Sequence, residues 1–103
     1  MICTLTARRL NPGQAAGFKV AFERAGEGAP EEVMKRWKKV YICRDVTDPD
    51  VVLTFGLFDG SVEELREIQS GMGGEADRTA EFEPFVAEVL LDGSYDVIQE
   101  IEP

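Results

Sequence analysis

The side chains suited to holding a small molecule stand in the middle of this sequence and near its end. They are an indole, two phenols, a guanidinium and a hydroxyl: Trp37, Tyr41, Arg44, Thr54 and Tyr95. Aromatic rings with a polar group line ligand pockets, and a guanidinium binds planar anions through a fixed fork of donors. These residues predict a site for a small apolar or anionic ligand. They do not identify catalytic residues.

Arg44 carries the strongest of these signals. It shares an alternating strand face with Val40, Ile42 and Val46, so we expect its charge to be at least partly buried. A buried guanidinium needs a carboxylate partner or an anionic ligand, and a structural ion pair near the turn is the alternative. The other four candidates have structural interpretations too. Trp37 is alternatively a helix anchor, Tyr41 and Thr54 are alternatively core residues, and Tyr95 alternatively packs where two subunits meet.

The composition excludes several kinds of site. The chain has no histidine, so no Ser-His pair and no His-ligated metal or haem is expected. Cys3 and Cys43 lack CxxC spacing, and we interpret both as small buried residues rather than a disulfide or a metal site. We therefore predict neither a metal nor a cofactor.

The net charge of −9 argues against a nucleic-acid partner, because binding to phosphates relies on clustered Lys and Arg. The one basic run, residues 35–39, follows Glu31 and Glu32 at helical spacing, which indicates a solvated helix face. No apolar run approaches the roughly 20 residues that span a bilayer. The first residues lack the order of a signal peptide, so we expect a cytoplasmic protein.

A β-hairpin organises the middle of the chain. Its arms are predicted from Lys39 to Val46 and from Val51 to Phe58, joined by a turn over residues 47–50 that contains Pro49. Both faces of the second arm are apolar, so both must be covered. A chain of 103 residues has helices for one face, and the other is expected to meet a second subunit or a ligand.

A strand and a helix are predicted ahead of the hairpin. Residues 2–9 alternate between an apolar and a mixed face, as strands do. In the helix that follows, we expect Asn11 as N-cap, Pro12 as first helical residue and Gln14 as the capping-box partner. A second, short helix begins at Pro30 and is expected to carry Trp37.

The region after the hairpin is harder to assign. Ser61 with Glu64 predicts a capping box at the start of a helix. The segment 75–91 fits two patterns, because alternation predicts a strand, whereas five apolar residues fit the longer helical spacing: Phe82, Phe85, Val86, Val89 and Leu90. We predict a helix, leaving open whether it is continuous or broken at Pro84. A turn at residues 92–94 and a last strand at 95–101 follow.

This order of elements predicts an α+β domain over residues 1–103. It is a ferredoxin-like split βαβ arrangement, with a four-stranded antiparallel sheet and helices on one face. The pattern resembles the dimeric α/β-barrel superfamily, which includes antibiotic-biosynthesis monooxygenases. The resemblance rests on NPGQ after the first strand, VYICRDVTDPDVVLTFGLFD, SVEELREI and YDVIQEI.

The resemblance implies a homodimer in which two sheets pack face to face and form a barrel. It also implies a cofactor-independent monooxygenase acting on a small aromatic or polyketide-like substrate, in a pocket containing Asn, Trp, Tyr and Arg side chains. Asn11 joins the candidates only as one of these residue types, because its position is already explained as a helix cap. A non-catalytic dimer that binds a small molecule or a partner is the alternative.

Overall fold

A computed structural model describes residues 1–71 and 80–103 of the chain. One antiparallel sheet has the strand order β2-β3-β1-β4, and its strands are β1 (Ile2–Leu10), β2 (Trp37–Arg44), β3 (Val51–Phe58) and β4 (Val86–Asp96). Its α-helices are α1 (Ala15–Gly26), α2 (Glu31–Met34) and α3 (Val62–Ser70), and a 3-10 turn (Glu83–Phe85) leads into β4. The predicted α+β, ferredoxin-like split βαβ fold is confirmed.

The β2–β3 hairpin is confirmed, and its loop is held by local hydrogen bonds. The carboxylate of Asp48 accepts from the backbone N–H of Asp50 at 3.1 Å, while the Asp48 carbonyl accepts from Val51 N–H at 3.1 Å. A second Asx turn precedes it, because one oxygen of Asp45 accepts from Thr47 N–H at 2.7 Å. The short polar side chains thus fix the turn, as their type predicts.

The two faces of the sheet are covered differently. Along β3, the even-numbered residues are buried and the odd-numbered residues are half-buried. The even-numbered face, here the helix face, packs under α1 and α3 in two apolar clusters. The α1 cluster contains Leu10, Phe18, Ala21, Val52 and Phe82. The α3 cluster contains Ile2, Phe58 and Leu65. The other face, here the open face, has no helix packed on it in the part of the chain that is described.

The expected start of α1 is wrong. The helix begins at Ala15 with Gln14 at its N-cap position, and no side chain caps it. Gly13 adopts a left-handed φ of 77°, and its N–H donates to the Asp50 carboxylate at 3.0 Å, so a turn separates β1 from the helix. Asn11 instead donates its side-chain N–H to the carbonyl of Pro84 at 3.3 Å.

The predicted helix over 75–91 is also wrong from residue 86 onward, and residues 75–79 lie outside the described residues. Helical residues 80–82 and the 3-10 turn end at Phe85, and the chain continues as β4. Register shifts leave Ala87 and Leu90 unpaired with β1, so Val86 and Val89 both lie on the helix face although they are three residues apart. The two bulges thus place apolar residues on one face of a strand at a spacing that is also typical of a helix.

The last strand therefore comes earlier than expected. Residues 92–94 lie within β4 rather than in a turn, and β4 ends at Asp96, while residues 97–103 have no regular structure. Gly93 permits this path because a Cβ there would collide with the Tyr95 ring, which folds back over it.

The start and end of β2 differ from expectation as well. Trp37 is the first strand residue rather than part of the short helix, which ends at Met34. The strand ends at Arg44, and Val46 is fully exposed in the loop. Since β2 is an edge strand, Arg44 and Cys43 are exposed, contrary to the expected burial of both, and Cys3 is half-buried.

The third helix follows its prediction. Ser61 Oγ accepts from Glu64 N–H, and the Glu64 carboxylate accepts from Ser61 N–H, each at 3.1 Å, which forms the capping box. The basic run is ion-paired, with Lys35 3.7 Å from Glu31 and Arg36 2.6 Å from Glu64. Within the described ranges, no helix is long and apolar enough to cross a membrane.

Candidate functional site

A band of polar side chains crosses the helix face between the two apolar clusters. In register, β1 passes from Ile2 in the α3 cluster to Leu10 in the α1 cluster, and the residues between them on this face are polar. Pairing with β3 and β4 brings further polar residues alongside. We name this group the polar strip: Thr4, Thr6, Arg8, Thr54, Asp92 and Ser94.

Arg8 is the charged centre of the strip. Its Nη1 donates to Thr54 Oγ1 at 2.9 Å, and Thr54 is itself buried. The guanidinium carbon lies 4.9 Å from the ring centre of Phe82 and 5.6 Å from that of Phe18. Cation–π contacts of this kind contribute about 0.5–2 kcal/mol, more when desolvated. The partly buried guanidinium of Arg8 thus lies against the aromatic side chains of the α1 cluster.

A hydroxyl and a carboxylate lie next along the strip. Thr6 Oγ1 donates to Asp92 Oδ1 at 3.1 Å, across the paired strands β1 and β4. Thr6 and Arg8 are two residues apart on one strand face, a separation of about 7 Å. The strip therefore places a cation, two hydroxyls and an anion within the dimensions of one aromatic ligand.

The far end of the strip is bounded by Trp37. Its indole lies over Gly56, where a Cβ would come within 2.7 Å of the ring and 2.9 Å of Thr4 Oγ1. The ring also packs edge-on against Phe58, with centroids 5.2 Å apart. Gly56 is thus the residue that lets the indole rest on the sheet beside the strip.

The structure divides the five sequence-predicted site residues between two faces. Thr54 belongs to the polar strip, and Trp37 borders it. Arg44 is in register with Val52 on the helix face but is exposed at the end of the edge strand. Tyr41 and Tyr95 lie on the open face, where Tyr41 packs beside Phe55 at 6.0 Å and Tyr95 pairs with Cys3. The five do not form one site.

Sequence reasoning missed Arg8 and Asp92. The signal for Arg8 was available, since it shares the mixed face of β1 with Ile2 and is as much a charge on a partly apolar face as Arg44. The sequence pattern predicts a turn at Asp92, so it does not indicate a site residue there. Only the strand pairing reveals that it lies opposite Thr6.

Other charged groups form local structural contacts. The backbone N–H of Thr47 lowers the pKa of Asp45, the Arg9 guanidinium lowers that of Asp48, and the Ser61 N–H, with Arg36, lowers that of Glu64. Among the described residues, no three His, Cys, Asp or Glu side chains are grouped to hold a metal ion.

An open depression of about 480 Å³ lies along the outer side of α1. Its lining includes Gly17, Val20, Arg24, Glu81 and Phe85, none of which belongs to the polar strip. A Cβ at Gly17 would come within 2.8 Å of the Phe85 ring, so Gly17 permits the close contact between α1 and Phe85.

Solved structures share this arrangement over nearly the whole chain. A candidate antibiotic biosynthesis monooxygenase from Deinococcus radiodurans superposes with a TM-score of 0.76 at 12% identity, covering 100% of this chain and 98% of that one. One from Caulobacter crescentus CB15 has a TM-score of 0.75 at 16% identity, covering 95% and 90%. One from Chloroflexus aurantiacus J-10-fl has 0.73 at 17%, covering 98% and 96%.

The chain shares the ferredoxin-like fold of these monooxygenase-type proteins. The resemblance drawn from its sequence pattern is therefore confirmed for the fold, which at such low identity is what the likeness shows. No protein-family model and no curated protein sequence matches the chain.

Proposed function

We propose that this protein is a cofactor-independent monooxygenase-type enzyme that binds a small, oxygen-rich aromatic substrate over the polar strip. The observation that carries the proposal is Arg8, a partly buried guanidinium that lies over two buried phenylalanine rings and donates to a buried hydroxyl. The half-buried indole of Trp37, at the border of the strip, suits the face of a flat substrate. The cation suits its phenolate or enolate oxygen.

The chemistry follows from what the strip would do to such a substrate. A positive charge beside a phenol or enol lowers its pKa and stabilises the anion, and an electron-rich carbanion of this type reacts with dioxygen directly. For an anthrone, the ring CH₂ loses two hydrogens and gains one oxygen atom. One O₂ is consumed, and one quinone carbonyl and one water are formed, so no external reductant is required.

A non-catalytic binding dimer is the second candidate. It is favoured by the hydrogen bonds that already join Arg8 to Thr54 and Thr6 to Asp92, which also suit a structural role for the strip. The two candidates differ in turnover, since a binder would protect an anthrone without oxidising it.

Oxygen uptake with 1,8-dihydroxyanthrone separates these candidates. The wild-type protein should consume one O₂ per quinone formed, faster than the uncatalysed reaction. Arg8→Met should lose at least about tenfold of that rate, since a hydrogen bond to a charged group contributes about 1.5–3 kcal/mol. Uptake at the uncatalysed rate with the wild type, or undiminished uptake with Arg8→Met, would contradict the proposal.

Arg9→Met is the matched control. Arg9 is the next residue but lies on the open face, where it pairs with Asp48 at 2.8 Å at the surface. Its loss removes the same charge without touching the strip, so its uptake should stay close to wild type. Arg8→Lys retains a positive charge without the fork of donors, so its oxygen uptake should lie between those of Arg8→Met and Arg9→Met.

The proposal includes a homodimer in which the two open faces pack together. This face presents apolar and aromatic side chains from all four strands, with Tyr41 46%, Leu91 45% and Tyr95 47% exposed beside the half-buried Phe55. A continuous apolar sheet face of this kind favours burial against a second sheet. A cytoplasmic location remains a prediction, as does the absence of nucleic-acid partners.

A further inference from the structure

The polar strip contains one carboxylate, and the oxidation proposed above requires a base. An anthrone must lose a proton from its ring CH₂ before the resulting carbanion can react with dioxygen. A positioned base accelerates such a transfer. Arg8 stabilises the anion, but a guanidinium only donates hydrogen bonds, and the hydroxyls of the strip are weak bases. The carboxylate of Asp92 is the group in the strip that can accept this proton.

We propose that Asp92 is the catalytic base of this site, removing the ring proton at one end of the substrate while Arg8 holds the substrate oxygen at the other end. This inference rests on the monooxygenase activity proposed above. It assigns to Asp92 a role in the chemical step rather than in binding.

One row of the sheet holds the two charges apart. Thr54, Thr6 and Asp92 are in register on the adjacent strands β3, β1 and β4. Since neighbouring strands are about 4.8 Å apart, the backbone positions of Thr54 and Asp92 are separated by about 10 Å. Arg8 donates to Thr54 at 2.9 Å, so its guanidinium lies at the β3 end of this row. The carboxylate lies at the β4 end, with Thr6 between them.

This span suits a ketone whose acidic CH₂ lies across one ring from its oxygen. In an anthrone, the carbonyl oxygen and the CH₂ are at opposite ends of the central ring. A catalytic group acts from about 3 Å, so two such contacts with one six-membered ring between them occupy about 10 Å. A substrate whose oxygen lies at Arg8 therefore brings its CH₂ to Asp92.

The Asp92 carboxylate is oriented by one contact and is open to a ligand. Thr6 Oγ1 donates to its Oδ1 at 3.1 Å, and the described residues give this side chain no other hydrogen bond or ion pair. Its Oδ2 is therefore available to accept a substrate proton. Asp92 is exposed, so a ligand lying over the strip can reach it.

The proton balance closes at Asp92. The carboxylate takes the first CH₂ proton, the carbanion passes one electron to O₂, and the two radicals combine to form a C–O bond. Protonated Asp92 returns its proton to the peroxide. The carboxylate then takes the second proton from carbon as the O–O bond breaks, and this proton joins the released hydroxide as water. The CH₂ is oxidised to C=O, one O₂ is reduced, and Asp92 is again a carboxylate.

Anaerobic hydrogen–deuterium exchange tests the proton transfer separately from the oxidation. The wild-type protein should exchange the ring CH₂ of 1,8-dihydroxyanthrone with D₂O faster than the protein-free reaction, as followed by ¹H NMR. Asp92→Asn keeps the shape of the side chain and an acceptor for Thr6. It should lose at least about tenfold of both exchange and oxygen uptake, because a positioned base contributes about 10²–10⁴-fold. Its affinity for the anthrone, measured by Trp37 quenching, should equal that of the wild type.

Asp96→Asn is the matched control, because Asp96 lies on the same strand and face, in register with Ile2 and about 13 Å from Asp92. It should exchange like the wild type, while Asp92→Glu keeps a carboxylate and should recover part of the lost rate.

Three results would overturn the role of Asp92 alone, provided that the wild type consumes oxygen. They are undiminished exchange in Asp92→Asn, an equal loss in Asp96→Asn, and a loss in Asp92→Asn that weaker binding explains in full. A wild type that neither exchanges the CH₂ nor consumes oxygen would overturn the proposed function itself.

Discussion

At the residue scale, Gly56 determines where the one tryptophan of the chain can lie. Gly56→Ala would place a Cβ 2.7 Å from the Trp37 ring and 2.9 Å from Thr4 Oγ1. Because both neighbours are held by strands, we expect a loss of about 1–3 kcal/mol in the free energy of unfolding and a shift in tryptophan emission. Urea denaturation followed by fluorescence measures both.

Gly26→Ala is the control for this substitution. It lies in α1 with open space around the position of a Cβ, so the change should be neutral or stabilising by up to about 1 kcal/mol. Equal unfolding midpoints for the two variants would show that the indole does not rest on Gly56.

Thr54 supplies the acceptor for Arg8 beneath the helices. Thr54→Val keeps the shape of the side chain but leaves that Arg8 N–H without this acceptor, so we expect a loss of about 1–3 kcal/mol in the free energy of unfolding. Thr4→Val is the comparison, because the Thr4 hydroxyl makes no side-chain hydrogen bond within the described residues. A smaller loss with Thr54→Val than with Thr4→Val would contradict the account of Arg8.

At the element scale, carboxylates fix the hairpin loop and the start of α3. Folding lowers the pKa of Asp45, Asp48 and Glu64 through the donors around them. Their stabilisation is therefore fully present above the unfolded values, about 3.9 for Asp and 4.3 for Glu, and is lost as the pH falls through the lower folded values. The urea midpoint should fall below about pH 4.

In the triple variant Asp45→Asn, Asp48→Asn and Glu64→Gln, the urea midpoint should decrease less than that of the wild type over the same pH range. Its control carries the same kind of change at exposed acids whose side chains make no ion pair or hydrogen bond among the described residues: Glu27, Glu32 and Glu63. If the urea midpoint of the control falls as little as that of the triple variant, these contacts do not determine the loss of stability at low pH.

The elements that sequence predicted well are those fixed by local chemistry. The hairpin loop follows from Asp and Pro, and the α3 start from Ser61 and Glu64, because the partners are within three residues. What failed depends on distant partners. Gly13 and Asn11 are held by residues 50 and 84, and the two bulges of β4 exist only in its pairing with β1.

The candidate site was predictable only in part for the same reason. Two of the residues predicted from sequence lie in or beside the polar strip, Thr54 and Trp37, because apolar strands and aromatic residues indicate burial directly. Arg8, Thr6 and Asp92 become a group only through the strand order, which brings residues more than eighty positions apart into contact. The burial expected for Arg44 is wrong, because alternation along a strand does not reveal whether that strand lies at the edge of the sheet.

At the scale of the whole molecule, the open face should control assembly. Phe55→Glu puts a charge at its centre, where Phe55 lies beside Tyr41 and pairs with Leu5. Burial of an unpaired carboxylate is costly, so we expect a folded monomer in native mass spectrometry. Val20→Glu, on the exposed side of α1, should remain a dimer. A dimeric Phe55→Glu protein would place the interface elsewhere.

The most direct test of the account is anaerobic binding of 1,8-dihydroxyanthrone, followed by quenching of Trp37 at the border of the polar strip. We predict saturable quenching with the wild type and Arg9→Met, and a dissociation constant raised at least about tenfold in Arg8→Met, from the loss of a charged hydrogen bond. Equal affinity in Arg8→Met and Arg9→Met would contradict a ligand site over the strip.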